Sequence, residues 1–467
     1  MQKYDDIVVG SGVSGLTAAL LLALNGHRVL LLEKGPRLGG SLLRFSRDGV
    51  PFDTGFHFTG SLHDGGILHE MLTVLGLRDA VTPSFLDRDR ANWFIFDREG
   101  KTFDIPCGIA ALRTRLKQHF PKDAAAVDGY FDLVDKTTAG TASMDLNQIT
   151  VQPEMMDEDY LTLQQVLDGL TGNPLLKAVL SGFCMCYGVK PAEVSFANHS
   201  RMCVGLYQSI ARIDGGGEAL IRAFCAACDR LGVEVRTGVT IARCLALRGN
   251  YAEAFELSTG EAVACGACLL TIHPREILRL LPRERLTPAF VSRVSAFEDS
   301  AGFFSVFAVV DDGAGDEFGS SIVSLFPHAD LNRLLDPGRE GDSALVVVKS
   351  VEQTAGGRRK VITAFEPCCM EQVRPWWDTV PGCRGSGYAA YKEERTESIR
   401  RRIIQLNPDY ERRLRILDAA SMLTFRDYLH SPSGSAYGIK QKVGQFNLVG
   451  KLPVFNMYAA GQSALLP

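Results

Sequence analysis

The stretch YDDIVVGSGVSGLTAALLLALNGHRVLLLEKGPRLGG, residues 4–40, leaves this chain little choice of local fold. Ile7, Val8 and Val9 make a short apolar strand, and Gly10-Ser11-Gly12-Val13-Ser14-Gly15 follows at once. A helical pattern runs from Leu16 to Asn25 and closes at Gly26. A second strand, Arg28 to Leu32, ends on Glu33. A strand, a G-x-G-x-x-G turn, a helix and a strand ending in a carboxylate form the dinucleotide-binding fingerprint in its required setting. Gly10 takes the tight turn. Gly12 lets the backbone approach a pyrophosphate, which sits at the helix N-terminus beside Val13 and Ser14. Gly15 lets helix and strand pack closely. Glu33, about 20 residues past the glycines, is placed to bind an adenosine ribose.

Beyond Glu33 come Lys34, Arg37 and Gly39-Gly40-Ser41, where a glycine pair lets the chain pass close to a second phosphate-bearing part of the cofactor. Phe52-Asp53-Thr54-Gly55-Phe56-His57-Phe58-Thr59-Gly60 follows. With these segments the chain resembles the FAD-dependent phytoene desaturase, carotenoid isomerase and retinol saturase family, in which a Glu, a Gly-Gly pair and an F-D-x-G segment follow the fingerprint in this order. Ser41 stands where the desaturases usually carry Arg, and FDTGFHFTG is more similar to the retinol saturases, so the resemblance leans to the isomerase and saturase side. It implies FAD as cofactor, with Lys34, Arg37, Gly39, Gly40 and Ser41 beside it. It also implies that Val239, in Gly238-Val239-Thr240-Ile241, meets the adenine from a strand. Gly461 and Gln462 then approach the ribityl chain and pyrophosphate.

The fold expected is α/β. A Rossmann-like, glutathione-reductase-type FAD-binding domain is assembled from residues 1–75, 211–285 and 431–467, and an α+β substrate domain from 76–210 and 286–430. In the resembled family a Pro-Gly and a long helix follow the C-terminal motif; this sequence ends at Pro467, where that helix is expected to begin.

At 467 residues, two domains are the natural expectation. The net charge is −4 and no basic run stands out, which argues against nucleic acid as a partner. The first strand starts at residue 4, leaving no room ahead of it for a leader, and no apolar run reaches the length that spans a bilayer. The expectation is a cytoplasmic protein with peripheral membrane contact, to which the Arg-rich helix expected over Glu393 to Ile404 is suited, though a solvated face suits it better. Twelve cysteines include Cys225-Ala-Ala-Cys228 and Cys265-Gly-Ala-Cys268. The first pair falls in a helical pattern and the second in an apolar strand, whereas zinc ligands come from tight turns, so no metal site is expected. Gly385-Ser386-Gly387 follows Pro381 and Gly382 instead of a strand and reads as a loop leading into the helix that carries Tyr388 and Tyr391, not a second nucleotide fingerprint.

The resemblance implies an FAD-dependent oxidoreductase acting on CH–CH groups: a saturase, isomerase or desaturase of a long apolar, polyene-like molecule such as a carotenoid, retinoid or related lipid, with an external electron donor or acceptor. Such a substrate needs an apolar tunnel, for which Phe183, Met185, Tyr187, Phe303, Phe304, Phe307, Trp376 and Trp377 are candidates. His57, following the F-D-x-G segment, is the candidate polar residue near the flavin, and Tyr437, in Ser433-Gly-Ser-Ala-Tyr437-Gly, is a second catalytic candidate. A flavin amine oxidase shares the fold and is the alternative enzyme. A non-catalytic flavin- or lipid-binding protein is the alternative of another class.

Overall fold

The computed structural model describes residues 1–147, 155–311, 313, 318–319, 321–338, 342–445, 447–448, 450–462 and 464. Pro467 and the helix sought there lie outside the described residues. Among the described residues the strands form two large sheets.

The first sheet is built around Gln2–Val9, which is flanked by Val29–Glu33 and Ala262–Leu270, both parallel to it. Glu234–Thr237 extends the sheet beyond Val29–Glu33. Met457–Ala459, the C-terminal return, adds in parallel to Ala262–Leu270. Ile7, Val8, Leu30 and Leu31 have no exposed surface, the near-continuous apolar pattern of parallel strands covered on both faces. The register puts Val9 beside Leu32 and Leu270, and Leu270 beside Ala459. The carboxyl ends of four strands from distant parts of the chain therefore share one edge, where an open α/β sheet binds its ligand.

The second sheet runs, in order, Leu414–Ala420, Gly302–Val310, Gly357–Cys368, Leu345–Thr354, Ile322–Phe326, Asn92–Phe96 and Lys101–Ile105. Gly302–Val310 is buried along its whole length. Successive side chains leave a strand on opposite faces. Phe303 packs among Phe94, Phe183, Tyr187 and Phe365 on the face nearer the first sheet. Phe304 packs with Val306, Ile399 and Ile403 beneath the helix Gly385–Leu406 on the other.

Several boundaries move from their sequence expectation. The fingerprint helix is Val13–Leu24, so it opens directly after Gly12. The Arg-rich helix begins at Gly385, not Glu393, because Tyr388 and Tyr391 pack on Trp376 and hold its first turns in place. The segment from Gly385 is thus helix and not loop. Val239 lies between Glu234–Thr237 and Ile241–Arg248 and not within a strand. Cys225 and Cys228 are on the helix Gly216–Leu231, and Cys265 and Cys268 on Ala262–Leu270. No helix of the described residues is long and apolar enough to cross a membrane.

The segment after Asp53 is locked in place by glycines. A Cβ at Gly60 would stand 2.4 Å from the backbone carbon of Gly205, in the helix Phe196–Gln208, and 2.6 Å from its oxygen. Backbone on backbone cannot yield as a side chain does. Gly60→Ala is expected to cost about 1–3 kcal/mol of stability, read as a lowered midpoint in urea.

Candidate functional site

The fingerprint turn closes on itself. Gly10 has φ +98°, a conformation that favours glycine. A Cβ there would stand 2.8 Å from Thr271 Oγ1, whose hydroxyl donates to the carbonyls of Val9 and Gly10 at 3.0 and 3.1 Å. A Cβ on Gly15 would come within 1.9 Å of the Gly10 oxygen. Gly12 is the opposite case: a Cβ there meets nothing within 4 Å. Its open space lies before a helix whose N-terminus carries no side-chain cap and no acid in its first turn. Those first N–H groups and the positive end of the helix dipole are left for an anion.

Two later segments reach the same place. A Cβ at Gly40 would lie 3.3 Å from Gly12 Cα, and one at Gly461 would lie 3.4 Å from Ser14 Oγ. Gly461 has φ +95°. The structure thus brings Gly10, Gly12, Val13, Ser14, Gly15, Gly40 and Gly461 into one cradle of backbone, which fits an extended dinucleotide. Gly39 is glycine for a different reason from the one expected. Its Cβ would strike Ile221 Cδ1 at 2.3 Å, so close packing against the helix Gly216–Leu231 sets that position.

Glu33 is held at the cradle's edge. Its Oε2 accepts from the Ser11 N–H at 3.0 Å and from the Ser11 hydroxyl, and its Oε1 accepts from Gly35 N–H at 2.6 Å. Oε2 is filled by its two bonds from Ser11, and Oε1 can accept one more, so a ribose hydroxyl has an acceptor there. The Val239 N–H already donates to the Glu33 carbonyl at 2.9 Å, so an adenine would meet Val239 through its carbonyl or side chain. Lys34 is exposed, and Arg37 is exposed and paired with Glu218 at 2.9 Å. Ser41 packs against Gly55, where a Cβ would be 3.1 Å from that of Ser41. Gln462 is exposed, and its carbonyl accepts from Gln441 Nε2 at 3.5 Å.

His57 and Tyr437 stand at two ends of one aromatic wall. His57 stacks on Phe365 with ring centres 5.3 Å apart, Phe365 meets Phe303 edge-on at 5.3 Å, and Phe303 meets Tyr437 edge-on at 5.8 Å. Burial and the nearby Arg212 charge push the His57 pKa down to about 4, so its ring is neutral at pH 7. Burial pushes the Tyr437 phenol upward, so it stays protonated. Cys186, whose thiol burial raises to about 12, is near Tyr437. His57, Cys186 and Tyr437 are deeply enclosed yet keep accessible surface. Of the tunnel candidates, Phe303 is in this wall. Phe183, Met185 and Tyr187 are in the core behind it, and Phe307 joins Phe45 and Phe52 further along the sheet. Phe304, Trp376 and Trp377 lie on the far face of the second sheet and line nothing here, because strand alternation sends Phe304 away from Phe303.

Sequence reasoning missed a group of buried charges beside His57. Arg44 pairs with Asp53 Oδ1 at 3.0 Å and with Glu352 Oε2 at 2.8 Å. Asp53 Oδ1 also accepts from Gly217 N–H at 3.1 Å. Burial outweighs these contacts and raises the Asp53 pKa to about 6, while burial lowers Arg212 to about 10. The F-D-x-G pattern marked Asp53 as part of a motif; nothing local marked Arg44, Arg212 or Glu352.

Residues 13–312 match the family described as flavin containing amine oxidoreductase. The all-trans-retinol 13,14-reductase of Homo sapiens is 26% identical over 510 residues, covering 99% of this chain and 82% of that protein. A 4,4'-diaponeurosporene oxygenase of Staphylococcus aureus is 25% identical over 251 residues, covering 50% of this chain and 49% of that protein. Among solved structures, a putrescine oxidase bound to putrescine shares the fold with a TM-score of 0.65 at 15% identity, covering 98% of this chain and 93% of that one.

Two measurements probe the site. Gly12→Ala should leave the stability of the FAD-free protein unchanged while weakening FAD binding, whereas Gly15→Ala should lower both; melting temperature and FAD titration separate the cases. Protonation gives the second. From pH about 4 to 6.5 an unfolded histidine takes up a proton that native His57 refuses, so this group's contribution to stability rises with pH. Between pH 3.8 and about 6, native Asp53 holds a proton that the unfolded chain releases, so its contribution falls with pH. Asp53→Asn should therefore steepen the rise of unfolding free energy with pH across that window, measured by urea denaturation.

Proposed function

The chain belongs to the flavin-containing amine oxidoreductase family, it is an FAD-dependent oxidoreductase, and from that premise we propose that it reduces a C=C bond of a long, apolar, polyene-like substrate. The observation that carries this reading is the wall of His57, Phe365, Phe303 and Tyr437, whose two polar members are both uncharged at neutral pH. An uncharged aromatic face suits a conjugated hydrocarbon. The retinol reductase relatives, matched over nearly the whole chain, favour the saturase direction over desaturation or isomerisation.

FAD supplies hydride chemistry when bound. The residues proposed to hold it are Gly10, Gly12, Val13, Ser14, Gly15, Glu33, Gly40, Ser41, Gly461 and Gln462, with Lys34, Arg37, Gly39 and Val239 as the outer part of the same site. The backbone cradle would hold the pyrophosphate and Glu33 the ribose. The second sheet, with residues 76–210 and 286–430 as its domain, presents the wall to the substrate. Phe303 and Phe365 exclude water, and His57 and Tyr437 are placed to hold or pass a proton. An external donor restores the electrons, and a peripheral membrane contact gives an apolar substrate its route in.

The test uses the FAD-loaded protein, reduced with dithionite without air and mixed with retinol or with putrescine. Retinol is expected to lose one conjugated double bond while one flavin is oxidised per product formed, and putrescine is expected to be inert. Peroxide-releasing turnover of putrescine in air, with retinol unchanged, would overturn the reading in favour of an amine oxidase.

A further inference from the structure

Reduction of a C=C bond consumes two electrons, delivered as hydride by reduced FAD to one carbon, and one proton, delivered to its neighbour. The proton is this chain's responsibility, and an aromatic wall that excludes water gives it no direct way in. Beside His57 lies a cavity of about 30 Å³ whose polar lining is Arg44, Asp53, Arg212, Glu352, Ser350 and Thr363, the rest of its wall being apolar side chains such as Phe52, Phe56 and Val361. That space admits one or two waters. We propose that the polar side of this cavity is the proton-entry route of the site, with Asp53 taking up the proton and His57 passing it inward. The proposal rests on the polyene-reductase reading.

Geometry gives each group one task. Arg44 and the Gly217 N–H both engage Asp53 Oδ1, which assigns the proton of the proposed relay to Oδ2. Arg44 spans Asp53 and Glu352, which come from different sheets, and ties these two lining residues together. His57 makes no hydrogen bond to other described residues; its ring is held by stacking on Phe365, and its nitrogens are left for water and substrate. Asp53 is faced by Arg44, Arg212, Glu352 and the Gly217 N–H, and His57 by Arg212.

The balance of the step is simple. Asp53 Oδ2–H breaks, a water relays the proton, and a His57 N–H forms. That N–H then breaks as the C–H bond forms on the carbon that did not receive hydride. His57 ends neutral, and Asp53 is refilled from solvent. With Asp53 raised to about 6 and His57 lowered to about 4, the proton rests on the carboxyl. It favours Asp53 over His57 by about a hundredfold, so His57 is a strong acid on the occasions it is charged.

The experiment follows oxidation of the reduced, FAD-loaded protein by retinol in a stopped flow from pH 5 to 8, beside infrared titration of the FAD-free protein. In the wild type the rate should fall above an ionisation near the Asp53 value, about 6. A protonated-carboxyl band should disappear over the same range. Asp53→Asn should abolish both the band and that ionisation and slow the step about 100-fold. His57→Gln, which leaves the carboxylate contacts intact, should slow the step with KM unchanged and keep the band. This second variant carries the test if Asp53→Asn does not fold. An unchanged pH profile in Asp53→Asn, an undiminished rate in His57→Gln, or an absent band would overturn the proposal. If the wild type reduces no retinol, the substrate reading falls, and the proton's destination with it; the infrared band still decides separately whether Asp53 is the protonated group.

Discussion

The close approach of Gly10 to Gly15 is the contact from which the rest of the site follows. It leaves no room for a Cβ on Gly15, while Thr271 leaves none on Gly10, and it sets the helix Val13–Leu24 end-on against the carboxyl edge of the first sheet. That geometry presents the first helical N–H groups to open space at Gly12. Thr271, just past the end of Ala262–Leu270, seals the turn by donating its hydroxyl to the carbonyls of Val9 and Gly10. Because Met457–Ala459 pairs beside that strand, Gly461 is delivered to Ser14 without any contact of its own in sequence. A cofactor site assembled this way is made of backbone, and its side chains matter mainly for what they leave empty.

Charge ties the short hairpin of Arg44–Arg47 and Val50–Asp53 to the second sheet at the site. Arg44 and Asp53 come from the region after the fingerprint, Gly217 from the helix Gly216–Leu231, and Glu352 from the second sheet. Removing one partner of a buried ion pair typically costs about 3–5 kcal/mol, because the other charge is then left unpaired away from water. A cluster that expensive to break holds the aromatic wall in register with the cradle. The same burial that makes it costly lifts Asp53 toward neutrality and keeps His57 uncharged. Fold-holding and proton chemistry thus draw on one set of side chains.

What could be read from the chain alone follows the range over which its chemistry acts. Residues 4–40 were legible because turn, helix and strand are neighbours and each glycine answers a local steric demand. The C-terminal Gly461-Gln462 was placed only by resemblance, since three residues of strand carry little signal of their own. Phe303 and Phe304 looked equivalent in sequence; only the orientation of their strand says which faces the site. Arg44, Arg212 and Glu352 were illegible, because a charged residue is ordinarily read as solvated and nothing nearby in sequence says which carboxylate a given arginine will meet. Gly39 needs glycine because Ile221, more than a hundred residues away in sequence, packs against it, and no local pattern shows that neighbour.

Hydrogen exchange of the FAD-free protein, repeated after FAD is added, tests most directly whether three separated segments close on one cofactor. The account predicts simultaneous protection of residues 10–15, 39–43 and 457–462, with weaker protection reaching His57. Protection confined to the first segment, or none after FAD is bound, would contradict it.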